Sequence, residues 1–258
     1  MFEQDRVISR LQQRVLREST IVACFLGGSH GRRRDDAYSD LDVAFIFEGD
    51  ASRDLAWPQR REFIQSILPY VPARSFDGAH VRPFFHIALY SNGAKVDYRY
   101  ESQESLQPNP WDAEIRILKD KNGWVDSFQA QSQALALPQP RISVEELTAL
   151  DERFWVMFWD ILRLLARGDR DKPFTIYLEM LHFTLPTLLH NLPPEDPAHK
   201  ALMSAQYGPQ AAAIRQHMGQ LHNAYLAARS AIVRRQQLRF LPNQGFETAV
   251  KRLIQRLI

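Results

Sequence analysis

The stretch FLGGSHGRRRDDAYSDLDVAFIF (Phe25–Phe47) runs from an apolar segment through a glycine-serine turn to Asp40-Leu41-Asp42, at the head of a second apolar segment. Its beginning completes TIVACFL (20–26), β-branched and apolar, which reads as a buried strand. LDVAFIF (41–47) reads as the next strand. Side chains alternate across a strand. Asp40 and Asp42 therefore share one face, about 7 Å apart by strand rise, while Leu41, Val43, Phe45 and Phe47 share the apolar face. Two neighbouring carboxylates repel, and both stay ionised comfortably when positive charge lies between them. A hard divalent cation meets that need, since Mg²⁺ is commonly held by one or two carboxylates together with substrate phosphates.

Working outward, AKVDYRY (94–100) supplies a third carboxylate. Alternation puts Lys95, Asp97 and Arg99 on one face and Val96, Tyr98 and Tyr100 on the other. If this strand neighbours 41–47, Asp97 joins Asp40 and Asp42 in one cluster. The turn Gly27-Gly28-Ser29 directly follows the first strand. Glycines let the backbone approach a ligand closely, the serine adds a hydroxyl, and such turns cradle phosphates. A phosphate cradle beside a carboxylate cluster points to metal-assisted phosphate chemistry, commonly of the two-metal kind.

The rest of the first half alternates helix and strand signals. Residues 5–18 carry Val7, Ile8, Leu11, Val15 and Leu16 at helical spacing. Residues 54–68 are helical in character, and strands at 81–90 and 95–100 flank the Asn92-Gly93 hairpin signal. ALALPQPRIS (134–143) reads as a boundary, with Ser143 and Glu146 forming a capping-box pattern behind Pro138 and Pro140. Beyond it strand signals cease. Helices are expected near 143–167, 174–191, 197–205, 209–236 and 245–258, with Pro186 kinking or splitting the second. The expectation is an α+β chain: a mixed sheet with flanking helices over 1–137, then an all-helical domain over 141–258 that binds an acceptor or partner.

Bulk properties exclude little. The chain of 258 residues is 45% hydrophobic and 24% charged, with net charge +2. That is ordinary globular composition, and the net charge gives no strong electrostatic hint about a partner. The single cysteine, Cys24, forbids an internal disulfide and reads as a small core residue. No run approaches the roughly 20 apolar residues of a membrane span, and the first residues, MFEQDRVISR, lack the apolar region of a secretion signal. A cytoplasmic protein without membrane contact is expected. The eight histidines are scattered without ligand spacing, so a zinc site is not expected.

Gly28-Ser29, ten residues, then Asp40-Leu41-Asp42-Val43 resembles the signature of the nucleotidyltransferase superfamily that includes DNA polymerase beta. Asp97 is similar to that superfamily's third carboxylate on a later strand. A catalytic α+β domain followed by helices looks like the aminoglycoside and lincosamide nucleotidyltransferases. The resemblance implies that Asp40 and Asp42 bind Mg²⁺, two ions in the usual scheme. It implies that Gly28 and Ser29 hold the triphosphate of ATP or another NTP, and that Asp97 ligates a metal, acts as general base, or does both. Where many relatives carry a basic residue after Gly-Ser, this chain has His30 followed by Arg32, Arg33 and Arg34. Arg32, Lys95 and Arg99 are the candidates for phosphate contact. For Lys95 and Arg99 the plainer reading is a salt bridge to Asp97.

The acceptor is left open. A small hydroxylated molecule of the antibiotic kind follows from the architecture, and tRNA or a protein is the alternative. The segment from Arg215 onward holds eight Lys/Arg against one acidic residue, Glu247. Facing the cleft, it would favour an anionic acceptor such as RNA; otherwise these are solvated helix faces. A non-catalytic nucleotide-binding module is the third reading. The aromatic run RFWVMFW (153–159) is expected to be a buried helix, or failing that a stacking platform. The C-terminal helices could serve a homodimer or an internal core equally well.

Overall fold

The computed structural model describes residues 4–72, 78–79, 81–138, 141–169, 171–207, 226–227, 229–231, 233–234, 237–245, 247–248 and 251–252. The expected helices at 209–236 and 245–258, and the basic segment from Arg215, lie largely outside them. By contact the chain divides into two compact units, Met1–Leu137 with Ala228–Ile258, and Pro138–Ala227. Residues 228–258, read from sequence with the helical half, thus group with the first unit.

The first unit is built on a mixed five-stranded sheet in the order β3-β4-β2-β1-β5. The strands are β1 (Ile21–Leu26), β2 (Leu41–Phe47), β3 (Phe85–Leu89), β4 (Lys95–Ser102) and β5 (Arg116–Asp120). β2 and β4 run parallel; the other neighbours are antiparallel. Every residue of β1 is buried, because both faces of the sheet are covered. On one face Cys24, Leu26, Leu41, Val43 and Phe45 pack with Val7, Leu11 and Val15 of α1 (Gln4–Leu16) and Ile64 of α4 (Arg60–Ile67). On the other, Phe25, Ala44 and Ile46 pack with Val125 and Phe128 of α5 (Trp124–Gln133). Phe45 stacks on Tyr98 and meets Phe63 and Tyr100 edge-on.

The segment expected to be helical over 54–68 begins earlier and is interrupted. α3 (Asp50–Ala56) passes into a 3₁₀ turn, Trp57–Gln59, around Pro58, before α4. Proline has no amide to continue the α-helical ladder. The strand expected from 81 starts at Phe85, since residues 81–84 form a turn containing Pro83, with Phe84 at φ 56°. The Asn92-Gly93 hairpin is present, with Gly93 at φ 94° and Tyr90 N–H donating to Ala94 O at 2.9 Å.

In the second unit the Ser143–Glu146 capping box is formed in both directions and opens α6 (Val144–Ala166). α6 packs on α7 (Asp171–Glu179), and its less exposed apolar residues, Leu150, Phe154, Met157, Ile161 and Leu164, form one narrow stripe. This corrects the reading of 153–159 as a buried helix. Trp155, Val156 and Trp159 are 58, 64 and 69% exposed. Seven consecutive residues go round a helix almost twice, so one neighbour covers only the 3.5-spaced stripe. α7 continues through a π-turn, Met180–Thr184, into α8 (Leu185–His190). The wide turn falls where Pro186 withholds the N–H that would bond His182. α9 (Pro197–Tyr207) follows. Among the described residues no helix is long and apolar enough to cross a membrane.

Candidate active site

The site forms where β1 and β2 exchange ends. β1 runs into Gly27, whose N–H donates to Asp42 O at 2.8 Å. The chain then makes one helical turn, α2 (Gly28–Gly31). Gly28 sits at φ 56°, and a Cβ there would collide with Asp42 Oδ2 and lie 3.1 Å from its Cγ. Only glycine lets the turn press against that carboxylate. A Cβ on Gly31 would lie 2.5 Å from Glu114 O and 2.8 Å from Leu26 O. The loop back to β2 is held by Asp36, whose Oδ1 accepts from Tyr38 N–H and Ser39 Oγ. Gln4 Nε2 donates to Ala37 O and Ser39 O, 3.2 and 2.8 Å away. These bonds fix the approach to Asp40.

The neighbour relation on which the carboxylate cluster depended holds: Asp42 pairs in register with Asp97 across the parallel β2–β4 ladder. Asp97 in turn pairs with Ile87 on β3. Asp40 lies one residue before β2. Lys95 Nζ donates to Asp40 Oδ2 at 3.0 Å and lies 2.7 Å from Asp97 Oδ1. That Asp97 oxygen is shut off from solvent, with the Lys95 ammonium against it. Burial raises the pKa of Asp42 above the usual carboxylate range, and the charges of Asp40 and Asp97 raise it further, against Lys95 and Arg99. For Lys95, burial acts downward, but Asp97 and Asp40 outweigh it and its pKa is raised.

Arg99 and Lys95 share the face but not the partner. Arg99 makes a bidentate ion pair with Asp112, at 3.0 and 2.7 Å, not with Asp97. Asp112 is buried in a short 3₁₀ turn, Pro110–Asp112, where Asn109 caps its N–H and donates to its Oδ2. Arg82 pairs with Glu101 at 3.4 Å. Burial raises the Glu101 pKa, against the pull of Arg99 and Arg82.

A cleft of about 620 Å³ opens beside Asp42 and Arg99, lined also by Gly27, Gly28, Arg32 and Trp111; Ser29, Asp40, Lys95 and Asp97 are not among its lining residues. Of the loop arginines, Arg32 reaches it. His30 is buried, 3.6 Å from Asp35. Ser29 is half-buried on the turn beside Gly28. Asp112, Arg82, Trp111 and Glu114 were not singled out from sequence. The Asn109-Pro110 turn signal, with Asp three residues after Asn, was the mark that could have located Asp112.

The donor set suits a hard cation, being carboxylate oxygen only. Yet among the described residues no three acidic, histidine or thiol side chains converge as a ready-made cage; Lys95 lies between Asp40 and Asp97. No protein-family model matches the chain, and no curated protein matches it.

Proposed function

We propose that the chain is a divalent-metal-dependent nucleotidyltransferase, moving a nucleoside monophosphate from an NTP, ATP by default, onto an acceptor hydroxyl. The observation that carries this reading is Asp42 in register with Asp97 on parallel neighbours, with Gly28 pressed against the Asp42 carboxylate beside an open cleft. Asp40 and Asp42, with Asp97, would hold the metal. When bound, the cation supplies positive charge against the triphosphate and the departing pyrophosphate. The turn at Gly28 and Ser29, with Arg32, receives phosphate oxygens. The Asp97 carboxylate takes the proton of the acceptor hydroxyl. The acceptor oxygen bonds to the α-phosphorus as the α–β bridging P–O bond breaks, and pyrophosphate leaves with that electron pair. Positioning and fixed charge supply most of the rate. The cleft volume falls within the roughly 300–1,000 Å³ of small-molecule sites, which suits a ligand the size of a nucleotide.

Calorimetric titration of a non-hydrolysable ATP analogue, with and without Mg²⁺, tests the reading. Binding that requires Mg²⁺ and disappears in Asp40→Asn is the expected result. Binding indifferent to Mg²⁺, or none under any condition, overturns it. GTP, CTP and UTP analogues then rank the donors.

A further inference from the structure

We propose that Lys95 takes the place of a second divalent ion between Asp40 and Asp97, so that the site holds one metal where the resemblance implies two. This rests on the nucleotidyltransferase reading above. The ammonium bridges the first and third carboxylates, 3.0 Å from Asp40 Oδ2 and 2.7 Å from Asp97 Oδ1. The fold sets it there. β2 and β4 are aligned with Leu41 opposite Val96, which brings Asp40 level with Lys95 one step earlier. Lys95 also pairs with Leu89 on β3, and the hairpin behind it is closed by Tyr90 N–H to Ala94 O. Its backbone is therefore held by the sheet, unlike that of a lysine on a loose loop.

Charge points the same way. Asp40, Asp42 and Asp97 carry three negative charges, and Lys95 returns one. Among the protein's own groups two charges remain, the charge of one divalent cation. Arg99, the other cation on this face of β4, is committed to Asp112. An ammonium is a compact point charge with three donors. It can bridge two carboxylates without the octahedral shell that Mg²⁺ demands.

The test counts metal ions and does not depend on turnover. Mn²⁺ bound to the full chain is measured by electron paramagnetic resonance, with a non-hydrolysable ATP analogue present. Wild type is expected to bind one Mn²⁺ per chain, Lys95→Met two, and Lys95→Arg one, with thermal melts confirming that each variant folds. Two ions in wild type overturn the proposal and leave the nucleotidyltransferase reading standing. One ion in both wild type and folded Lys95→Met overturns it as well. No Mn²⁺ in any of them removes both readings. The wild-type count decides alone if Lys95→Met fails to fold.

Discussion

At Gly28 two constraints act on one missing atom. The backbone is left-handed, at φ 56°, and the space a Cβ would fill is taken by the Asp42 carboxylate. A left-handed conformation costs an L-residue about 1–2 kcal/mol, and the carboxylate would have to move as well. Gly28→Ala is expected to lose about 2 kcal/mol or more in urea denaturation, and to weaken Mg²⁺-dependent nucleotide binding beyond what that loss explains. Unchanged stability would show that Asp42 moves aside freely and that the close approach has no structural weight. The aspartates themselves were legible in the sequence, because a strand's period of two carries straight from residue order to side-chain face. The cations were not. Lys95 and Arg99 flank Asp97 symmetrically, and alternation cannot say which of them pairs with it. The structure gives Lys95 to Asp97 and Asp40, and Arg99 to a carboxylate thirteen residues further on.

That distant carboxylate belongs to an element that periodicity does not announce. Asp112 sits in a single 3₁₀ turn, and the next strand, β5, buries only Leu118 of its five residues. An edge strand so thinly apolar carries no alternation to read, and α5 after it begins behind Gly123 in the left-handed region, its Val125 N–H capped from a distance by Asp120 and not by an N-cap side chain. The central strands were legible for the opposite reason: β1 and β2 are buried on both faces, so their apolar runs are continuous. The run 153–159 misled because density of aromatics is not burial; only the residues spaced three and four apart meet a neighbour. The turn at Asp112 nevertheless anchors a cleft-lining cation. Removing one partner of a buried pair leaves the other charge uncompensated, at a cost of roughly 3–5 kcal/mol. Asp112→Ala is therefore expected to destabilise the first unit by about that much in urea denaturation. Arg99→Met with Asp112→Leu should cost clearly less than Asp112→Ala alone. A double variant as unstable as the single one would mean that the turn needs Asp112 for its own hydrogen bonds with Asn109, not for Arg99.

Across the whole molecule, the unfolding that should report on this site is that of the unit Met1–Leu137 with Ala228–Ile258, which holds every residue of the cluster. Asp42 makes that unit's stability depend on pH in a definite direction. Burial first, then Asp40 and Asp97, raise its pKa in the folded state. The folded protein thus holds the Asp42 proton more tightly than the unfolded chain. The resulting stability is fully present below the ordinary carboxylate pKa, near about 4, and is lost as pH rises through the raised value. A divalent cation reverses the trend, because it binds the ionised cluster and so acts only above that value. With Mg²⁺ and nucleotide at about 100 times the dissociation constant, binding adds about 2.7 kcal/mol, or roughly 5–10 °C in Tm. In differential scanning calorimetry this shift is expected near pH 7.5 and should shrink toward zero near pH 4. Asp42→Asn, which removes the repelled carboxylate, should be at least as stable as wild type near neutral pH without metal. It should also show a flatter pH dependence and no Mg²⁺ shift, and its turnover should be lost. If Asp42→Asn instead unfolds several kcal/mol more easily without metal, Asp42 is a structural partner, and the strand carries its aspartate for the fold rather than for a ligand.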